Sequence, residues 1–86
     1  MKIQYSDKAV KQLKRISQSD KRSARLIIAR IEAYAENPEG KFDIKILKGK
    51  LATFKRLRVG YYRVVFDENL NVMNIYEIRH RKEAYK

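Results

Sequence analysis

The residues Asn37-Pro38-Glu39-Gly40 divide this chain into two halves with different hydrophobic spacing. Before them, apolar residues recur every three or four positions, as they do along one face of an amphipathic helix. After them, bulky apolar and polar side chains alternate, as they do in a strand with one buried face. Because asparagine, proline and glycine this close together end a helix, the pattern predicts an α+β fold with a helical half and a sheet half.

The helical half is predicted to begin with a short strand over residues 1–5, where Ile3 and Tyr5 alternate with polar residues. A first helix is predicted from a cap at residue 6 or 7 to about residue 17. A second is predicted from a cap at residue 19 or 20 to about residue 36, because serine or aspartate is available at each start. Two helices joined by so few residues are expected to form an antiparallel hairpin.

The sheet half contains four candidate strands joined by short turns. They are predicted over residues 44–47, 53–59, 61–66 and 72–78, with a turn at Gly60, a hairpin turn over residues 67–71 and a basic tail from residue 79. We expect the helix hairpin to cover one face of a mainly antiparallel sheet of about four strands. The open face would then carry Arg63, with Arg56 and Arg58 beside it if the two strands pair in the simplest register.

Charge is the first indication of a partner. The 86 residues form a single predicted domain, 1–86, with a formal net charge of +11. The charge is uneven: residues 44–66 contain seven lysines and arginines and no acidic residue. A patch of this kind is typical of proteins that bind nucleic acids, because each neutralised phosphate releases counterions.

Several kinds of chemistry are excluded by what the sequence lacks. Without cysteine there is no disulfide, thiol nucleophile or cysteine-based zinc site, and a single histidine cannot build a histidine-based metal site. Phosphate-binding glycine loops, HExxH and GxSxG are also missing. We therefore expect neither a metal nor a cofactor. The sequence has no secretory leader and no apolar stretch of membrane-spanning length, so we expect a soluble cytoplasmic protein that does not contact membranes.

Metal-independent RNA cleavage is compatible with the residues that remain. The RNA supplies the 2′-OH nucleophile, and the protein supplies a proton acceptor, a proton donor and cations for the charge on the phosphate. Arginine suits the last task, whereas a lysine could accept a proton if neighbouring cations lower its pKa. His80 suits either proton role. A basic RNA-binding module without activity is also compatible. Tyr61, Tyr62 and Tyr76 are expected to be core or rim aromatics rather than platforms on which bases stack.

Two blocks of sequence identify a family resemblance. Leu57-Arg58-Val59-Gly60-Tyr61-Tyr62-Arg63-Val64-Val65-Phe66 and Ile78-Arg79-His80-Arg81-Lys82-Glu83-Ala84-Tyr85 resemble motifs of the RelE/ParE superfamily of toxin–antitoxin toxins, as does the early run from Ser6 to Leu13. The resemblance implies a microbial-ribonuclease-like fold and a cognate antitoxin protein. In the RelE branch, it further implies cleavage of mRNA in the ribosomal A site. The ParE branch shares the fold but poisons DNA gyrase.

The resemblance also suggests roles for particular residues. The implied catalytic residues are Arg56, Arg63, Arg81 and Tyr85, with His80 as a possible proton carrier. The residues expected to contact RNA or the ribosome are Lys45, Lys48, Lys50, Lys55, Arg58, Arg79 and Lys82. Phe54 and Arg56 stand where the RelE branch has catalytic lysines, so the general base is unidentified: His80 or a displaced lysine remain candidates. Arg63, Arg81 and Tyr85 together favour the RelE branch over ParE.

Overall fold

A computed structural model describes residues 1–48 and 53–81 and confirms the predicted α+β class. Its elements are β1 (Lys2–Tyr5), α1 (Asp7–Ser19), α2 (Lys21–Glu36), β2 (Ile44–Lys48), β3 (Thr53–Val59), β4 (Tyr62–Asn69) and β5 (Val72–His80). The element bounds differ most from the sequence prediction in the last hairpin. Its turn is only Leu70 and Asn71, both with positive φ, as a two-residue hairpin turn requires. The strand β5 runs on through His80 into the predicted basic tail.

The two helices begin at side-chain caps, as predicted. The Ser6 hydroxyl oxygen accepts the Ala9 N–H at 3.0 Å, and the Asp20 carboxylate accepts the Ser23 N–H at 3.0 Å. Asp20 alone separates α1 from α2, and the two helices pack against each other. In the described part of the chain, no helix is both long and apolar enough to cross a membrane.

The sheet has five strands in the order β1-β5-β4-β3-β2. The strands β2 to β5 pair with antiparallel neighbours, as expected. The first strand was predicted separately from a sheet of about four, but β1 adds to the outer side of β5 in parallel, so the sheet is mixed. Parallel pairing is possible here because the helix hairpin and the rest of the sheet lie between β1 and β5 in the chain.

The helices cover one face of the sheet and bury the core there. The largest fully buried side chains are Phe66, Ile27, Ile31, Leu57, Met73, Ile75 and Val64. Tyr34 of α2 packs edge-on against Phe66, with ring centroids 5.1 Å apart. Each side chain of this size stabilises the fold by roughly 1.5–3 kcal/mol when buried, so the covered face carries most of the stability. The opposite face has no helix over it within the described residues.

A β-bulge in β5 decides which of its side chains reach the open face. Val65 pairs with Glu77 and Phe66 with Ile75, so Tyr76 is an extra residue in the ladder. Helix α1 satisfies the polar groups around it. The Ser6 hydroxyl donates to the Tyr76 carbonyl at 2.7 Å, and the Ile78 N–H donates to the Gln12 amide oxygen at 2.7 Å. After the bulge, Ile78 is again buried.

Candidate nucleic-acid interface

Three arginines lie side by side across the open face of the sheet. Arg58 of β3 is directly opposite Arg63 of β4, which is directly opposite Arg79 of β5. Residues paired in this way point to the same face, so Arg58, Arg63 and Arg79 form one row, called here the arginine row. Like charges placed directly opposite each other destabilise a sheet. Three arginines side by side on one face also concentrate the donors that hold phosphate or carboxylate groups.

Glu77 stands at one end of the arginine row and connects it to α1. Its carboxylate pairs with the Arg79 guanidinium at 2.8 Å and with the Lys8 ammonium at 2.9 Å. Burial by itself would raise the pKa of the Glu77 carboxyl. The hydrogen bonds from Lys8 and Arg79 outweigh burial and leave that pKa below its ordinary value. Glu77 therefore stays ionised and fixes the position of Arg79.

Arg56 lies on the same face, next to the arginine row. It is paired across the sheet with Lys45 of β2, and its guanidinium contacts the Asp43 carboxylate at 3.0 Å. Only 12% of its side chain is exposed. Its Nε is a buried donor with no hydrogen-bond partner among the described residues. An arginine held in this way presents a fixed donor to an anion.

An aromatic cleft adjoins these cations. It is lined by Phe54, Val65 and Tyr76, with Lys8 and Glu77 at its rim, and has a volume of about 390 Å³. The rings of Phe54 and Tyr76 meet edge to face with centroids 5.4 Å apart. The Tyr76 hydroxyl donates to Asp67 at 2.8 Å, which raises the pKa of the phenol. Tyr76 is a rim aromatic, as predicted, and belongs to the open face.

Lys55 does not lie with the arginine row. It faces the helices, where its ammonium contacts Glu68 at 2.8 Å and the Tyr34 hydroxyl at 3.5 Å. The hydrogen bond to Glu68 is the main cause of a raised pKa at Lys55, despite the opposing effect of burial. Neighbouring cations therefore do not lower the pKa of this lysine, because its hydrogen bond to the Glu68 carboxylate favours the charged form.

His80 also lies on the helix-facing side of β5. It packs edge-on against Tyr62, with centroids 5.1 Å apart, and stacks on Tyr61 at 6.3 Å. Its side chain lines a cavity of about 200 Å³ together with Gln12 and other residues of α1. His80, predicted to carry protons, and Lys55, predicted to contact RNA or the ribosome, are therefore on the opposite side of the sheet from Arg63.

The remaining predicted residues lie at the margins of the described chain. Arg81 is exposed two residues beyond Arg79, and its N–H donates to the Tyr61 carbonyl at 2.6 Å. Lys48 is exposed at the end of β2. Lys50, Lys82 and Tyr85 lie outside the described residues. Within residues 1–48 and 53–81, no three carboxylates or imidazoles come close enough to hold a metal ion.

Two features of this interface were not visible in the sequence. Arg79 was expected as part of a basic tail, whereas it completes the arginine row in β5. Glu77 carries no sequence signal of its own, although its carboxylate holds Arg79 in place. The signal that was available, alternation along β5, is interrupted by the bulge at Tyr76, so counting from Met73 puts Arg79 on the wrong face.

Comparison with known proteins gives a consistent family assignment. Residues 3–85 match the model of the family described as the ParE toxin of the type II toxin–antitoxin system parDE. The chain is 31% identical over 85 residues to Toxin RelE3 of Methanocaldococcus jannaschii, covering 99% of this chain and 96% of that protein.

Solved structures of such toxins share the fold. The YoeB dimer from Staphylococcus aureus superposes with a TM-score of 0.77 at 23% identity, covering 93% of this chain and 95% of YoeB. The toxin of the RelB-RelE antitoxin-toxin complex from Methanococcus jannaschii gives a TM-score of 0.75 at 26% identity, covering 95% and 94%. The chain therefore belongs to the ParE toxin family of type II toxin–antitoxin systems, within the RelE/ParE superfamily.

Proposed function

We propose that this toxin is an endoribonuclease that cleaves mRNA in the ribosomal A site and so inhibits translation. The arginine row is the observation that carries the proposal. Arg58, Arg63 and Arg79 are set directly opposite one another and concentrate on one face the positive charge that suits a polyanionic ligand. The phosphates of an RNA strand are such a ligand, and guanidinium groups hold them in two places without losing a proton.

In the proposed reaction, the 2′-oxygen forms a bond to the adjacent phosphorus while the bond from phosphorus to the 5′-oxygen breaks. The products are a 2′,3′-cyclic phosphate and a free 5′-hydroxyl. The arginine row stabilises the negative charge that builds on the phosphate oxygens. Arg81, which follows β5 in the chain, and Tyr85 belong to the same proposed catalytic site. Arg56 adds a second fixed donor beside the row.

None of the residues considered as proton acceptors from the sequence combines a suitable group with a position beside Arg63. Arg56 and Arg58 are poor acceptors because guanidinium does not deprotonate in proteins. Lys55 has a raised pKa and faces the helices, and His80 faces the same way. We propose that the ribosome orients the RNA and completes the site. The toxin should therefore cut free RNA poorly.

We also propose a cognate antitoxin as a protein partner. The related RelE from Methanococcus jannaschii and YoeB from Staphylococcus aureus were each solved in complex with an antitoxin, RelB and YefM respectively. A formal charge of +11 on the toxin favours an acidic partner segment.

The test is induction of the toxin in cells followed by mapping of RNA ends. We expect codon-phased cuts on translated messages only, and none when the same message lacks a start codon. Arg63→Ala should abolish the cuts and the growth arrest. Arg25→Ala, which removes an exposed arginine from α2, is the matched control and should keep both.

Inhibition of DNA gyrase is a second candidate, because the family model that matches residues 3–85 is that of ParE. This reading predicts an SOS response with intact mRNA after induction. That result would exclude the ribonuclease. Codon-phased cuts without an early SOS response would exclude the gyrase inhibitor.

A further inference from the structure

We infer that the aromatic cleft is a binding site for a base of single-stranded RNA, next to the phosphates held by the arginine row. This inference rests on the proposed function for its biological role, because the RNA would be the substrate. The cleft consists of Phe54, Val65 and Tyr76 on the open face of the sheet. It would make the toxin sensitive to the bases that flank the cut.

The position of the cleft relative to the arginine row is set by the strands. Val65 lies two residues after Arg63 on β4, and Phe54 lies four residues before Arg58 on β3. Two residues along a strand span roughly 7 Å, which is comparable with the reach from the phosphate of a nucleotide to its base. A nucleotide with its phosphate at Arg63 would thus have its base over Val65, against the exposed side of the Phe54–Tyr76 ring pair.

The chemistry of the cleft also suits a base. Stacking on aromatic rings is the usual way in which proteins bind unpaired bases, because every base has a π-face. Phe54 and Tyr76 supply the rings, and Val65 supplies an apolar floor. Lys8 and Glu77 stand at the rim with a donor and an acceptor for groups on a base edge.

The cations beside the cleft favour RNA over a protein segment as its occupant. An apolar peptide would fill the cleft but has no phosphates to place along Arg58 and Arg63, which are directly opposite each other beside it. A nucleotide strand satisfies both surfaces together, since its bases and phosphates alternate at a regular spacing.

The first experiment measures binding of a 2′-O-methyl hexa-adenylate, which cannot be cleaved, at low salt by fluorescence anisotropy. Phe54→Ala and Phe54→Leu should both weaken binding by about 5- to 100-fold, because the stacking ring is lost in each. Phe54→Trp should retain it. Ile46→Ala is the matched control, since Ile46 is 57% exposed on the helix-facing side of β2.

A second measurement separates base binding from phosphate binding. In NMR titrations, the hexa-adenylate should shift the side-chain resonances of Phe54, Val65 and Tyr76. An abasic ribose-phosphate hexamer should shift only the arginine row. Equal shifts of the cleft by both ligands, or unchanged affinity in folded Phe54→Leu, would overturn the inference. Weaker antitoxin binding with unchanged RNA binding would overturn it too, by identifying a protein-docking surface.

Cleavage assays on translating ribosomes distinguish failure of this inference from failure of the proposed function. Phe54→Leu should change the distribution of bases flanking the cuts, while Ile46→Ala should not. If the wild-type toxin makes no cuts, the proposed function fails and the hexa-adenylate experiments still decide whether the cleft binds a base. If it cuts and Phe54→Leu changes neither the flanking bases nor binding, only the cleft inference fails.

Discussion

The two faces of the same sheet have opposite properties. On the helix-covered face, Val64 and Phe66 of β4 are fully buried against α1 and α2. On the open face, Arg63 and Val65 of the same strand belong to the arginine row and the aromatic cleft. Because successive side chains of a strand point to opposite faces, stability and ligand binding are assigned to alternate residues. Substitutions on the open face should therefore have little effect on stability, and conservative substitutions on the covered face should have little effect on binding.

The open face contributes less to the free energy of unfolding than the covered face. Opposed arginines lower the free energy of unfolding, whereas opposed hydrophobic pairs on the covered face raise it. Two carboxylates of this face have defined partners: Glu77 pairs with Arg79 and Lys8, and Asp67 pairs with Tyr76 and Asn74. Such an arrangement is typical of a binding surface.

The largest effect is expected from truncation of the covered face. Phe66→Ala should lower the free energy of unfolding by about 3–5 kcal/mol, because it leaves a cavity beneath Tyr34 in a small core. Urea denaturation measures the loss. Phe54→Ala, on the open face, is the matched aromatic control and should cost clearly less. Equal losses would mean that the two faces do not differ as described.

Removing Arg63, the central residue of the arginine row, should greatly reduce cleavage and change the free energy of unfolding very little. Arg63→Ala should reduce ribosome-dependent cleavage by about 100- to 1000-fold, because a preorganised phosphate ligand is lost. Its free energy of unfolding should stay within about 0.5 kcal/mol of wild type or rise. Arg81→Ala should behave in the same way. Single-turnover cleavage and urea denaturation are the measurements, with Arg25→Ala as control; wild-type activity in both variants would refute the site.

A smaller effect is expected where α1 supports the bulge. Gln12→Ala removes the acceptor of the Ile78 N–H and should lower the free energy of unfolding by about 1 kcal/mol. Because the bulge keeps Arg79 on the open face, cleavage should fall as well. Gln18→Ala, at an exposed position of the same helix, is the control. Hydrogen exchange at Ile78 that is no faster in Gln12→Ala than in wild type would contradict this role.

The smallest effect tests the strain within the arginine row. Arg58→Thr should raise the free energy of unfolding by roughly 0.2–1 kcal/mol, since it removes one of the like charges opposite Arg63. The gain should shrink as salt screens the repulsion. Lys48→Thr is the control, because Lys48 is opposite Thr53 rather than another cation. A gain of the same size at Lys48 would show that net charge matters rather than the row.

Much of the covered face could be predicted from the sequence. Apolar spacing predicted both helices and strands β2 to β5. Serine or aspartate at each helix start predicted the caps. Alternation along the strands predicted that Arg56, Arg58 and Arg63 lie on one face. These features depend on neighbours in sequence, where periodicity is informative. The parallel pairing of β1 with β5 was not predicted, because it joins residues about 70 positions apart.

The sequence by itself determined the fold class, the cationic surface and the arginines of β3 and β4, because these follow from periodicity and composition. Only the tertiary structure decided the face of Arg79 and the partner of Lys55. The bulge at Tyr76 reverses the alternation of β5, and it is stabilised by Ser6 and Gln12 of a distant helix. The pKa of Lys55 likewise depends on Glu68 across the sheet. The face of Arg79 and the pKa of Lys55 both depend on contacts between different helices and strands, which the pattern within one element does not encode.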